Sequence, residues 1–129
     1  MPFQRNAINS DKVSKHEAKS SHVIRAGGLL HVTGWMGDVP ETGKIIEGGI
    51  EAQADQTFKN IAACLEAAGS SMDKVVNRRL YVINIKDLPA IQKVTTRYFE
   101  EPYPCSTAVQ ISGLAKPGAL LEIEVVAEA

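Results

Sequence analysis

Apolar positions follow two rhythms along this chain, and the switches between them lay out the elements. Val23–Ala26 and Leu29–Trp35 are short β-prone runs separated by Gly27-Gly28, a two-residue hairpin signal. Gly37 to Gly49 holds Pro40, Thr42-Gly43 and Gly48-Gly49, and predicts a loop. Ile50, Ala54, Phe58, Ile61, Leu65 and Ala68 then recur at spacings of three and four. That is one face of an amphipathic helix, with Glu51 and Asp55 near its positive end and Gly69 as its stop. Val75–Ile83 returns to strand character. Asp87 caps a second helix with Pro89 in its first turn; Leu88, Ile91, Val94 or Thr95, and Tyr98 form its buried stripe. Pro102 and Pro104 end it. Cys105–Ser112 and Ala119–Ala127 are the last strands, joined across Gly113–Gly118. Residues 1–19 show neither rhythm and read as an irregular arm.

The order β-β-α-β-α-β-β predicts an α+β domain spanning residues 1–129, a mixed sheet with two helices on one face. Such a sheet has a second face to cover. Leu80 and Val82 alternate with Tyr81 and Ile83, so both faces of that strand carry large apolar residues. With no further layer in the chain, another copy of it is the expected cover, and an oligomer follows from pattern alone.

Composition narrows the partners. Hydrophobic residues make up 44% of 129 positions, enough for one core, and no apolar run nears the roughly 20 residues of a spanning helix. No membrane association is expected. Fourteen basic and 15 acidic residues give a net charge of −1, without the basic stripe that nucleic-acid binding requires. Cys64 and Cys105 lie far apart, with no ligand spacing around them, and His22 and His31 lack a third ligand. No metal or cofactor is expected, and unpaired cysteines suit a reduced, cytoplasmic setting.

Short segments in a fixed order carry a resemblance. Ser21-His22-Val23-Ile24-Arg25-Ala26-Gly27, Thr33-Gly34, Thr42-Gly43, Glu51-Ala52-Gln53-Ala54 and Leu65-Glu66-Ala67-Ala68-Gly69 are followed by Arg97-Tyr98-Phe99. Val109-Gln110-Ile111-Ser112-Gly113-Leu114 and Leu121-Glu122-Ile123 complete the set. From His16 onward the chain resembles the Rid/YjgF family, the reactive-intermediate (enamine/imine) deaminases. The resemblance implies a chorismate-mutase-like fold and a homotrimer with small-molecule pockets in the clefts between subunits.

It also implies site residues, several of them altered. Glu122 matches the glutamate thought to orient or activate the attacking water, and Gly34 is kept. The arginine of the family's Pro-Ala-Arg motif, which grips a substrate carboxylate, corresponds to Ser106 in Pro104-Cys105-Ser106. Ser20 replaces a tyrosine, Gln92 an asparagine, and Trp35 the glutamine after the glycine. A hydroxyl at 106 forfeits a charge-assisted interaction of roughly 1.5–3 kcal/mol. The substrate expected is one without an α-carboxylate, or one gripped elsewhere: Arg79, sharing a strand face with Asn77 and Tyr81, Arg78 on the other face, and Arg25 are the candidate cations. Trp35 is expected to wall the pocket, and Cys105 is read as a pocket thiol or a small packed residue. Two readings follow: a hydrolase of enamines, imines or related electrophiles with Glu122 as acid/base, and a non-catalytic small-molecule binding module on the same scaffold.

Overall fold

A computed structural model describes residues 2–129. Six strands form one sheet: β1 (Asn6–Ile8), β2 (Val23–Ala26), β3 (Leu29–Trp35), β4 (Val75–Val82), β5 (Cys105–Gln110) and β6 (Leu121–Glu128). The helices are α1 (Gly49–Ala67) and α2 (Leu88–Thr95). Spatially the strands run β1-β2-β3-β6-β4-β5, with β4 and β5 parallel and every other pair antiparallel. The sheet is mixed and the class is α+β, as the alternating rhythms predict.

The arm differs from expectation. Asn6–Ile8 pairs with β2 as an edge strand, and Ser10, Val13 and Ser14 are buried. Polar side chains do the ordering here: Asn9 Oδ1 accepts the His22 N–H at 2.9 Å, and the Ser10 N–H donates to His22 Nδ1 at 3.0 Å. A strand recruited by side-chain caps and one neighbouring edge leaves no alternation to read.

Helix α1 begins where only glycine fits. Gly48 has φ 117°, and a Cβ there would lie 2.9 Å from Ala52 Cβ. Phe58, Ile61 and Leu65 point from α1 onto Val32, Trp35, Leu121, Ile123 and Val125 of the sheet, all nearly or fully buried. Each such side chain contributes roughly 1.5–3 kcal/mol by leaving water. Eight-residue α2 is too short to be stable alone and depends on its contacts. Just beyond it, the Tyr98 ring packs 5.0 Å from that of Phe58 while its hydroxyl donates to Asp55 Oδ1 at 2.6 Å.

The strict alternation of β6 sorts the two faces. Leu121, Ile123, Val125 and Ala127 turn to the helices; Glu122, Glu124 and Val126 turn to the other face. Register puts Tyr81 beside Glu122, Arg79 beside Glu124, and Val109 beside Tyr81. Among the described residues no helix packs over that second face.

Candidate functional site

Strand β3 slips register against β6 between Val32 and Trp35. Such a bulge re-aims the chain, and here it brings the bare backbone of Gly34 against the side chain of Glu122. A Cβ at Gly34 would stand 2.5 Å from Glu122 Oε2 and 2.9 Å from Cδ. The absent side chain is the space the carboxylate occupies. Both residues open into a groove of about 1000 Å³, bounded by the 14–18 segment, the 40–45 loop and the 115–117 turn.

The electrostatics of the groove favour a proton on Glu122. Burial raises its pKa above the usual carboxylate value, and the charges of Glu124 and Asp38 push the same way. Among the described residues no hydrogen bond holds its carboxylate. Glu124 is tied instead: the Tyr81 hydroxyl donates to its Oε1 at 2.5 Å, and Arg79 Nη1 lies 3.9 Å away. Asp38, 3% exposed, accepts from Lys116 Nζ and from the Ser14 hydroxyl at 3.3 Å, while its Oδ1 has no partner. Lys116 also donates to the Gly43 carbonyl at 2.6 Å, clamping the 115–117 turn to the 40–45 loop. His16 lines the groove with its pKa lowered, chiefly by burial, against an opposing pull from Asp38.

Of the residues singled out in the sequence, Gly34 and Glu122 come together in this groove and the others do not. Trp35 does not wall it. The indole is 1% exposed, because the residue after Gly34 points to the helix side, where it packs against the rings of His16 and His22 at 4.9 and 5.2 Å. Ser20 is exposed at the end of the arm, its hydroxyl 2.6 Å from His16 Nδ1. Gln92 is exposed on α2. Cys105 and Ser106 are exposed on edge strand β5, two strands away from β6 in the sheet. Burial pushes the Cys64 thiol up to about 12, in keeping with a packing role.

The candidate cations separate equally clearly. Arg79 is exposed and paired with Glu124; Arg25 donates to the Ala68 carbonyl at 3.1 Å. Arg78 is 5% exposed, lies over the Phe99 ring at 4.7 Å, and is in register with Ser106. Lys116 and His16 line the groove and Asp38 is buried beneath it; sequence reading passed over all three. Asp38 and Lys116 lie 78 positions apart in irregular segments, where no periodicity brings two residues together. Among the described residues there is no cluster of three metal-ligating side chains, and no helix is long and apolar enough to cross a membrane.

This fold recurs in known proteins. The family model described as endoribonuclease L-PSP matches residues 12–129, and the chain belongs to that family, known also as Rid/YjgF. A RutC family protein of Pyrococcus horikoshii is 35% identical over 95% of this chain and 97% of its own length. A 2-iminobutanoate/2-iminopropanoate deaminase of Dermatophagoides farinae is 33% identical, with coverage of 81% and 80%. The crystal structure of RidA from an Antarctic Psychrobacter superposes with a TM-score of 0.91 at 34% identity, covering 97% of this chain and all of that one.

Proposed function

We propose that this chain is a Rid-type hydrolase of enamines, imines or related small electrophiles, with Glu122 moving the protons, rather than a general 2-iminoacid deaminase. The observation that carries the reading is the Glu122 carboxyl, half-buried against Gly34 with a raised pKa and no hydrogen bond among the described residues. A group kept nearer neutrality both takes and returns a proton at working pH. Glu122 would accept a proton from water as its oxygen bonds to the imine carbon. It would hand that proton to the nitrogen, giving a carbinolamine, then take the hydroxyl proton and deliver it to the same nitrogen as the C–N bond breaks, leaving a carbonyl compound and ammonia. Lys116, in the same groove, supplies positive potential. Family relatives that bear the deaminase name support the reaction class. The description of the family as endoribonuclease fits less well, since a net charge of −1 offers little for a phosphate backbone.

The working unit in this proposal is a homotrimer in a cytoplasmic setting. Its ligand sits in the clefts between subunits, and the second face of the sheet is covered by copies of the chain. A non-catalytic binding module is the second reading, favoured by Ser106, Ser20 and Trp35 standing where the family has polar or charged pocket groups. The deciding experiment is ammonia release from freshly generated 2-iminopropionate and from a related enamine, with the unaltered protein, Ser106→Arg and Glu122→Gln. Acceleration that disappears in Glu122→Gln supports the hydrolase. Inertness of the unaltered protein and Ser106→Arg toward both compounds, with ligand binding retained, moves the assignment to the binding module.

A further inference from the structure

Among the described residues the sheet holds one buried cation without a counter-charge. Arg78 extends from β4 on the helix side and is 5% exposed. Its Nε and Nη1 are enclosed without a hydrogen-bond partner, whereas Nη2 is not enclosed. One side of the guanidinium is taken by the Phe99 ring, 4.7 Å from Cζ. Burial lowers its pKa, and no neighbouring acid opposes that effect. The protein's other described ion pairs are made by Lys12, Lys59, Arg79, Lys93, Arg97 and Lys116. A buried charge left in this state is a standing cost unless an anion from outside the protomer completes it.

The surroundings suit a small carboxylate. Ser106 is the register partner of Arg78, so its hydroxyl lies on the same face, and it is exposed on the edge strand. The Ile111 N–H donates inward to the Val82 carbonyl. Alternation along β5 therefore leaves the Ser106 N–H on the free edge of the sheet. The Ser106 hydroxyl and an unpaired backbone N–H therefore stand at the free edge of β5, one strand away from Arg78 and on its register. Nη2 is the corner of the guanidinium left outside that enclosure, and a charge-assisted bond from arginine to a carboxylate is among the strongest a side chain makes.

We propose that Arg78, with Ser106 beside it, is an anion-holding site that takes the carboxylate of a small ligand at the free edge of β5. The proposal rests on the hydrolase reading and narrows it: the substrate carries a carboxylate, held from β4 rather than from position 106. An arginine on β5 and an arginine on β4 in register differ by one strand spacing, so the ligand would sit deeper and under the Phe99 edge. That displacement restricts the size of acid admitted.

Pyruvate tests this, with acetone as the neutral counterpart, by calorimetric titration at low ionic strength. Arg78→Met and Arg78→Lys are compared with the unaltered protein, and each is weighed by sedimentation. The expected result is pyruvate binding without acetone binding, weakened at least tenfold in Arg78→Met and partly retained in Arg78→Lys, with unchanged mass. A fall in the mass of Arg78→Met would place the missing carboxylate on a second copy of the chain and overturn the ligand assignment. Equal binding by the unaltered protein and Arg78→Met, or none by either, also overturns it. Glu122→Gln keeps the proposed site and should keep pyruvate binding. If Arg78 proves irrelevant while Glu122→Gln still abolishes ammonia release, the anion site fails and the hydrolase reading stands.

Discussion

Gly34→Ala separates a glycine needed for chemistry from one needed for folding. Gly34 does not occupy the positive-φ region, so alanine adopts its backbone conformation without strain. The new Cβ would meet Glu122 Oε2 at 2.5 Å, whereas ordinary contact begins at 3.4 Å. The oxygen must therefore retreat by about 0.9 Å, the difference between those two distances. Glu122 is free to do so, since no described hydrogen bond holds it. Stability should consequently change by no more than about 1 kcal/mol, offset in part by the lower entropy of the unfolded alanine chain. For a domain of this size that is a shift of about 4 °C in Tm. Catalysis is far less tolerant: displacing a proton-transfer group by about 1 Å costs on the order of 100-fold in rate. Ammonia release under single-turnover conditions, beside thermal unfolding, reads both quantities. Shortening the acid makes room, so Gly34→Ala combined with Glu122→Asp should lose less than the sum of the two single losses. A rate within threefold of the unaltered protein would refute the argument. So would a collapse in Tm, which would make Gly34 a residue of the fold.

Three further outcomes follow from the same geometry. The raised pKa of Glu122 means that the folded state binds its proton more tightly than the unfolded chain does. Its contribution to stability therefore falls as pH rises above the ordinary carboxylate range, so Glu122→Gln should raise Tm at pH 7 and leave it unchanged near pH 4. Lys116→Met leaves Asp38 buried beneath the groove without its cation and should cost about 3 kcal/mol by urea unfolding, most of it recovered in Lys116→Met with Asp38→Asn. Tyr98→Phe removes the hydroxyl that donates to Asp55 but keeps the ring on Phe58, and should cost about 1–2 kcal/mol. Burial raises the Asp55 pKa, but Tyr98, Lys59 and Arg97 together bring it below the ordinary value. The stability gained from Asp55 is therefore present above that ordinary value and is lost as pH falls through the depressed one. The deficit of Tyr98→Phe should shrink in acid; a deficit independent of pH would show that the hydroxyl does not act through the Asp55 charge.

Sequence alone determined the elements with strong periodicity and the class they make. Alternation marked five of the six strands, and the three-and-four spacing from Ile50 to Ala68 marked α1, because burying one face of a strand or helix imposes that rhythm on its residues. It also singled out Gly34 and Glu122, through a resemblance carried by short segments in order. Tertiary structure decided the rest. It turned Trp35 away from the groove, since adjacent strand residues face opposite sides. It drew a strand out of the arm through Asn9 and His22, and it joined Asp38 to Lys116, 78 positions apart and each in an irregular segment. It also distinguished three arginines that look alike in sequence: one ion-paired, one bonded to a carbonyl, and Arg78 buried without an acid. Periodicity records which face of an element is buried. Which charges meet depends on where the chain returns in space, and only the folded structure supplies that.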